Sequence, residues 1–447
     1  MMKSRTLTVV RSAALIAGLV AAQGALAQQV MLPADLIAAA HDHAVKITKG
    51  EKLGGSVSIL GVNGGHELEM LKAAWKPFED ATGIKVDYNG TTDFAAVLQT
   101  RVNAGDPPDM AGSTNISNVL RYAKAGALKE VGTLVDPAAL NGAFMPGLAD
   151  AVTVDGKLYG VWTEINNFML WYNVKLYDGP KENVTTEQIE AWAKAAADKG
   201  MTPWCYADER GASSGFIGAN WIQSYILKNS GEATLTELGR GERKWNSPEV
   251  RTAWEAFGRI VHDPKMVAGG AMAGLSTPAI KIGTGLFANP PYCTLMQWGT
   301  YAGSLTLNLY PEVKPVEDLD FMPIPGTPEN AGLETFGGTV YMPFKDTPQV
   351  RAFLTYLASA EAQRLVAANN NWTVASAKVG PEAYSNPVLA RARDTLLGPD
   401  TRLVTQPTQV AAPPVIQAFI KGVVSYALDP SALDAALDSI DAAVAGR

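Results

Sequence analysis

The chain has 447 residues, a formal net charge of −7 and 47% hydrophobic residues. That length exceeds what one ordinary core serves, so two lobes are expected. The acidic balance argues against a nucleic-acid partner, and the composition carries neither a disordered nor a coiled-coil signature.

The N-terminus reads as a targeting segment. Lys3, Arg5 and Arg11 are basic, residues 13–22 are apolar, and Ala25-Leu26-Ala27 is a small-x-small cleavage site before Gln28. This predicts a signal peptide over 1–27 and an exported mature chain. The apolar run is too short to anchor stably in a membrane, and no second long one follows. No cysteine follows the cleavage site, so a lipid anchor is not expected; a Gram-negative periplasm is.

A short helix is expected within 35–45. Residues 56–60 form a first strand that opens into Gly61-Val62-Asn63-Gly64-Gly65, a loop free enough in backbone to approach a ligand. Its glycine spacing does not fit the dinucleotide fingerprint. Leu68, Leu71, Trp75 and Phe78 mark a helix face, with Pro77 expected to kink its end. Ile84, Val86 and Tyr88 alternate with charged residues, which is strand period. Thr91, Thr92 and Asp93 offer N-caps to a helix carrying Phe94, Val97, Leu98 and Val102. Gly105 and Pro107-Pro108 stop it, and a short strand runs into Ser113-Thr114-Asn115. This is one β-α-β unit. Ligands in open α/β sheets bind beyond the carboxyl ends of strands, which makes Thr92, Asp93 and Ser113 candidate contacts.

Further on, a helix is expected over 116–125, irregular chain with a short helix over 134–150, and a hairpin around Asp155-Gly156. Thr163 to Asn167 precede an apolar strand over 168–172. Helices are expected over 185–197, capped by Thr185 with Gln188, over 215–229 and over 248–262. Strands are expected over 202–206 and 318–324. The closing helices span 347–359, 361–368, 410–427 and 431–444, with a loop at 370–373.

Three segments, FEDATGIKVDY, the Thr91-Thr92-Asp93 loop and AGDPPDM, resemble the family 1 extracellular solute-binding proteins, the sugar receptors of ABC importers. The resemblance covers nearly all of the mature chain. It implies an α/β two-lobed periplasmic binding protein fold of type II, with mixed sheets flanked by helices and a ligand cleft between the lobes. It implies lobes of 28–162 with 340–383 and of 163–339 with 384–447. The segment VWTEINNFMLWYN looks like the first crossover, which would turn Trp162 and Asn166 or Asn167 to the cleft. Gly337-Gly338 looks like the second, with the Gly338 backbone near the ligand, and a third falls near Tyr384. Tyr301 would lay its ring against a sugar, with Trp298 beside it. Where related receptors read closer to GWPGTDWIED, this chain has Phe216 and Asn220 in place of the first Trp and the Asp, which leaves the sugar open.

Two cysteines, Cys205 and Cys293, are the whole supply. In an oxidising compartment they form a candidate disulfide, worth at most roughly 4–5 kcal/mol; two separate buried thiols are the alternative. Pro203-Trp204-Cys205 and Pro290-Pro291-Tyr292-Cys293 also resemble segments of the α-glucoside branch of the family.

No HExxH, GxSxG, P-loop or CxxC motif is present, and His41 and His43 fall on different helix faces. Neither catalysis, a metal nor a cofactor is expected. Trp221, Trp298 and Tyr301 suit the apolar faces of a sugar, and Asn63, Thr92, Asp93, Ser113 and Asn166 suit its hydroxyls. The expected function is carbohydrate delivery to an inner-membrane ABC permease by hinge closure, as a monomer. One alternative is a polyamine receptor, with Asp93, Glu164, Asp208 and Glu209 as its acids. The other is a secreted enzyme with an acid pair formed in space.

Overall fold

The computed structural model describes residues 30–369 and 372–446. The expected signal peptide over 1–27 lies outside the described residues, as do Asn370 and Asn371 of the expected 370–373 loop.

The chain is a two-lobed α/β structure. Its strands are β1 (Ser56–Gly61), β2 (Lys85–Gly90), β3 (Met110–Ser113), the hairpin β4 (Thr153–Val154) and β5 (Lys157–Leu158), β6 (Val161–Asn173), β7 (Trp204–Cys205), β8 (Leu295–Gly299), β9 (Leu319–Pro323), β10 (Leu333–Pro343), β11 (Thr373–Val374) and β12 (Arg402–Val404). The main sheet runs β2-β1-β3-β10-β6-β8-β7; β9 and β11 pair with β6, and β12 pairs with β10. β1 runs parallel to β2 and β3, as the β-α-β reading requires.

Period-two alternation divides the N-terminal lobe into two apolar layers. Val57, Ile59, Met110 and Tyr341 enter one, packed under the helices Ala34–Ile47, Gly65–Thr82 and Pro348–Ala358. Leu60, Ala111, Val340 and Met342 enter the other, against Phe94, Leu98 and Val119. The C-terminal lobe has one large core holding Trp171, Trp204, Trp221, Trp245 and Trp254.

β6 and β10 tie the lobes together. Val161, Trp162 and Ile165 of β6 belong to the N-terminal cores, and Phe168 to Tyr172 belong to the C-terminal one. The crossover read as a segment before a separate strand is therefore part of a continuous 13-residue strand. Its polar residues broke the apolar pattern in sequence. Ladders with β10 and β11 satisfy the backbone there, so the strand does not need apolar side chains to persist.

Other elements differ from expectation in detail. The helix Gly65–Thr82 runs through Pro77. The stretch 134–150, read as irregular with a short helix, carries two single-turn helices, Pro137–Leu140 and Leu148–Ala151, and a third, Val131–Leu134, leads into it. The helix expected to end at Asn229 continues as Phe216–Arg240, with a break at Gly231 (φ +84°). The helix Pro387–Leu396 carried no expectation. The Thr185 capping box forms as read. Cys205 and Cys293, 88 residues apart, are joined with their Cα atoms 5.3 Å apart, within normal disulfide geometry. The bridge staples β7 to the chain that enters β8.

Candidate functional site

A cleft of ≈650 Å³ lies between the lobes. The loops after β1 and β3 supply Val62, Asn63, Thr114 and Asn115, and the first turn of the helix Gly65–Thr82 adds Glu67. The crossover strands supply Glu164, Asn166 and Phe168 from β6 and Gly337, Gly338 and Thr339 from β10. The C-terminal lobe supplies Glu209, Arg210, Phe216, Trp298 and Tyr301. Trp372 and a single-turn helix with its cap (Gln406, Thr408, Gln409) add to the lining.

Asn63 is fixed from below. The Tyr88 hydroxyl accepts from its N–H (3.0 Å) and donates to its Oδ1 (3.2 Å). Its Nδ2 donates to Glu67 (3.4 Å). Burial pushes the Tyr88 phenol well above its usual range, so it stays a neutral donor. Asn115 caps the helix Ile116–Lys124 through Ser117 N–H (2.8 Å), and its Nδ2 reaches the Thr408 carbonyl (3.4 Å).

Glu164, Asn166 and Phe168 lie two apart on β6, so they share one face. Asn166 stands opposite Gly337 on β10. Gly299 leaves room on its other side: a Cβ there would come within 3.0 Å of Asn166 Oδ1 and 2.6 Å of the Tyr301 ring. β8 ends at Gly299 and the next helix starts at Tyr301. This brings the Trp298 and Tyr301 rings edge-to-face, with centroids 4.8 Å apart. The Arg210 guanidinium lies over Phe216 (5.2 Å) and Trp298 (6.0 Å).

Several groups on the lining are short of partners. Glu164 Oε1, Trp298 Nε1 and Thr408 Oγ1 are buried without a hydrogen bond. Burial pushes the Glu164 carboxyl above the usual range, against hydrogen bonds from Thr163 and Thr339.

Of the ten residues singled out in sequence, the structure brings Asn63, Asn166, Trp298, Tyr301 and Gly338 together on the cleft. The other five lie off its lining. Thr92 and Asp93 follow β2, the edge strand, with two strands between it and β10, and both are exposed. Ser113 turns inward: it donates to the Asn115 carbonyl (3.0 Å) and accepts from Asn115 N–H and Asn118 Nδ2 (both 3.1 Å). It shapes the turn that presents Thr114 and Asn115. Trp162 is core; its indole N–H donates to the Leu148 carbonyl (2.7 Å) and its ring meets Phe336. Trp221 is also core. It donates to the Gln297 carbonyl (2.8 Å) behind β8 and packs on Trp204, Tyr206 and Phe257.

Sequence reasoning gave no role in the site to Glu67, Arg210, Trp372, Gln406 or Gln409. Phe216, read only as a departure from related receptors, was the available signal for the aromatic wall. Of the four acids of the polyamine alternative, only Glu164 and Glu209 line the cleft. Asp208 instead caps the helix Phe216–Arg240, accepting from Ile217 (2.9 Å) and Gly218 (3.0 Å) N–H groups. Burial pushes its carboxyl up to about 6 despite those bonds.

The chain is 32% identical over 315 residues to the osmoprotective compounds-binding protein GgtB of Synechocystis sp., covering 70% of this chain and 74% of that one. It is 28% identical over 367 residues to the alpha-glucosides-binding periplasmic protein AglE of Rhizobium meliloti, covering 79% of each. A solved chitin oligosaccharide binding protein superposes with a TM-score of 0.73 at 17% identity, over 88% of this chain and 100% of that one, and so shares the fold. Residues 64–364 match the bacterial extracellular solute-binding proteins, and the chain belongs to that family.

Proposed function

We propose that this chain is the periplasmic receptor of an ABC importer and carries a small neutral glycoside, an α-glucoside or a compact osmoprotective one. The observation that carries this reading is that one cleft holds an aromatic pair, Trp298 and Tyr301, and a set of short polar groups, Asn63 and Glu67 from the N-terminal lobe and Asn166 from the crossover strand. Flat rings cover the C–H faces of a sugar at little entropy cost, and fixed amides and carboxylates take its hydroxyls. The names of the two relatives support the same ligand class. The polyamine reading loses ground because two of its four acids lie off the cleft and Arg210 already covers two rings.

The proposal includes the lobe limits drawn from sequence, 28–162 with 340–383 and 163–339 with 384–447, and the signal peptide over 1–27. It also includes function as a monomer. β6 and β10 act as the hinge. A ligand that touches both lobes only when they close stabilises the closed state by that difference, and the permease reads the closed form. Binding without turnover is the whole task, in keeping with the relatives, both named as binding proteins.

A thermal-shift screen of the mature protein against neutral disaccharides, small glucosides, polyols, acidic sugars and polyamines tests this. A binder at about 100 times its Kd stabilises the fold by about 2.7 kcal/mol. A shift with a neutral glycoside is expected. A shift only with cations, or none with any glycoside, overturns the assignment.

A further inference from the structure

Three strands meet at one point between the lobes. Glu164 of β6 stands opposite Val374 of β11, and Ile165 stands opposite both Gly338 of β10 and Thr373 of β11. The β10–β6 register shifts between Gly338 and Val340, so the ladder is irregular beside Glu164. Gly338 closes on the Glu164 carbonyl; a Cβ there would lie 2.4 Å from that oxygen.

A carboxyl side chain sits at this junction, only 3% exposed. Thr163, on the same strand, donates its hydroxyl to Oε2, and the Thr339 hydroxyl on β10 also works to lower the carboxyl's pKa against its burial. Oε1 takes no hydrogen bond. A cavity of ≈10 Å³ adjoins the group, about the volume of one water. Leu71, Ala74 and Trp75 of the helix Gly65–Thr82 wall it on one side. The helices Pro348–Ala358 and Ala360–Ala368 wall the other with groups that do not titrate, chiefly Leu357, Ala362 and Gln363. The titratable groups that bear on it are Glu67, Tyr88 and Tyr341. Each is an acid, and no ion pair among the described residues supplies Glu164 with a cation.

We propose that Glu164 is the proton-linked pivot of the hinge, a positioning residue whose protonation favours the closed cleft. The inference rests on the hinge reading above. Protonated, the acid is neutral and can stay buried where β6, β10 and β11 converge. Ionised, it would have no cation and room for about one water beside it, and opening the joint to solvent relieves it. Burial already holds its pKa above the unfolded value. The group is already buried in this conformation, so it is opening that would expose it and release the proton, and closing that takes the proton up again. Affinity then falls as pH rises above the ordinary carboxylate range.

The test compares the mature wild type with Glu164→Gln, a neutral isostere. Maltose, trehalose and sucrose are titrated by calorimetry between pH 5 and 9, and the ligand-free proteins are followed by small-angle scattering. For whichever sugar binds, wild-type affinity is expected to fall with rising pH, by at most about tenfold per pH unit for one proton. The ligand-free radius of gyration is expected to rise in step. The variant is expected to be flat in both. Asp208 titrates in both proteins, so only their difference is read. Parallel pH profiles overturn the proposal even where sugar binds. If none of the three sugars binds, that counts against the neutral-glycoside reading, and the scattering profiles still decide the proton link. Should Glu164→Gln not fold, Thr339→Val serves. It removes a donor to the ionised form, so the fall is expected to move to higher pH; an unmoved profile overturns the proposal.

Discussion

On its N-terminal side the cleft is lined by short polar groups, Asn63 held by Tyr88 and Asn115 held by its capping bond, and the crossover strands add Asn166 opposite Gly337. On its C-terminal side it is lined by large rings, Phe216, Trp298 and Tyr301, with a guanidinium over two of them. The first wall depends on backbone geometry and a few hydrogen bonds. The second depends on packed volume and on the two segments that carry it, one following Cys205 and the other following Cys293. The walls should therefore fail differently. The aromatic wall should lose stability when its staple goes and affinity when a ring goes. The polar wall should lose smaller amounts of each.

The staple gives the largest expected effect. Replacing Cys205 and Cys293 together by Ser removes a bridge that closes 88 residues, and should cost about 2–5 kcal/mol of unfolding free energy. Urea unfolding followed by tryptophan fluorescence measures it. A loss under 1 kcal/mol would mean that β7 and β8 hold their register without the bridge.

Next is the ring itself. Tyr301→Ala should weaken ligand binding by about 2 kcal/mol, roughly 30-fold, because a well-packed aromatic anchor carries a disproportionate share of binding energy. Tyr301 is only half-buried, so the unfolding midpoint should move far less than in the cysteine variant. Calorimetry with the best glycoside from the screen reads the affinity. Unchanged affinity would remove the aromatic wall from the binding surface.

The polar wall answers in smaller steps. Gly338→Ala forces a side chain against the Glu164 carbonyl at φ +157°, and should destabilise by about 1–3 kcal/mol. Asn63→Ala removes the partner of the Tyr88 hydroxyl and should cost about 1 kcal/mol in stability as well as a few-fold in affinity. Thermal unfolding of the two variants side by side ranks them; a larger loss for Asn63→Ala would reverse the view that backbone approach dominates this wall.

The fold was largely readable because it is written in periodicity. Ile84, Val86 and Tyr88 alternate, Thr185 and Gln188 sit at capping spacing, and both patterns formed as read. The aromatic pair was readable because β8 ends in Trp298-Gly299 just before a helix. Trp162 and Trp221 show the limit: a tryptophan beside a site and a tryptophan behind it leave the same mark in sequence, and only the hydrogen bonds of their indoles to Leu148 and Gln297 tell them apart. Arg210, Trp372 and Gln409 lie on loops and a single-turn helix. They have no period, and the chain that brings them to the cleft is long.

Asp93 gives the smallest expected effect and the sharpest contrast with sequence reasoning. By sequence it sits at the carboxyl end of a strand, where an acid to grip a sugar hydroxyl belongs. In the structure its strand is β2, and the sheet order puts β1 and β3 between β2 and the crossover strand β10. The loops after β1 and β3 reach the cleft, and the loop after β2 does not. Nor does the Asp93 side chain cap the helix Phe94–Asn103 that it precedes; its own N–H donates to Thr91 Oγ1 instead (3.1 Å). Asp93→Ala should therefore leave ligand affinity within about twofold and stability within about 0.5 kcal/mol, as for an exposed site with no special contact. A tenfold loss of affinity would show that lobe closure carries the β2 loop to the ligand. The cleft wall would then extend one strand further than the present geometry places it.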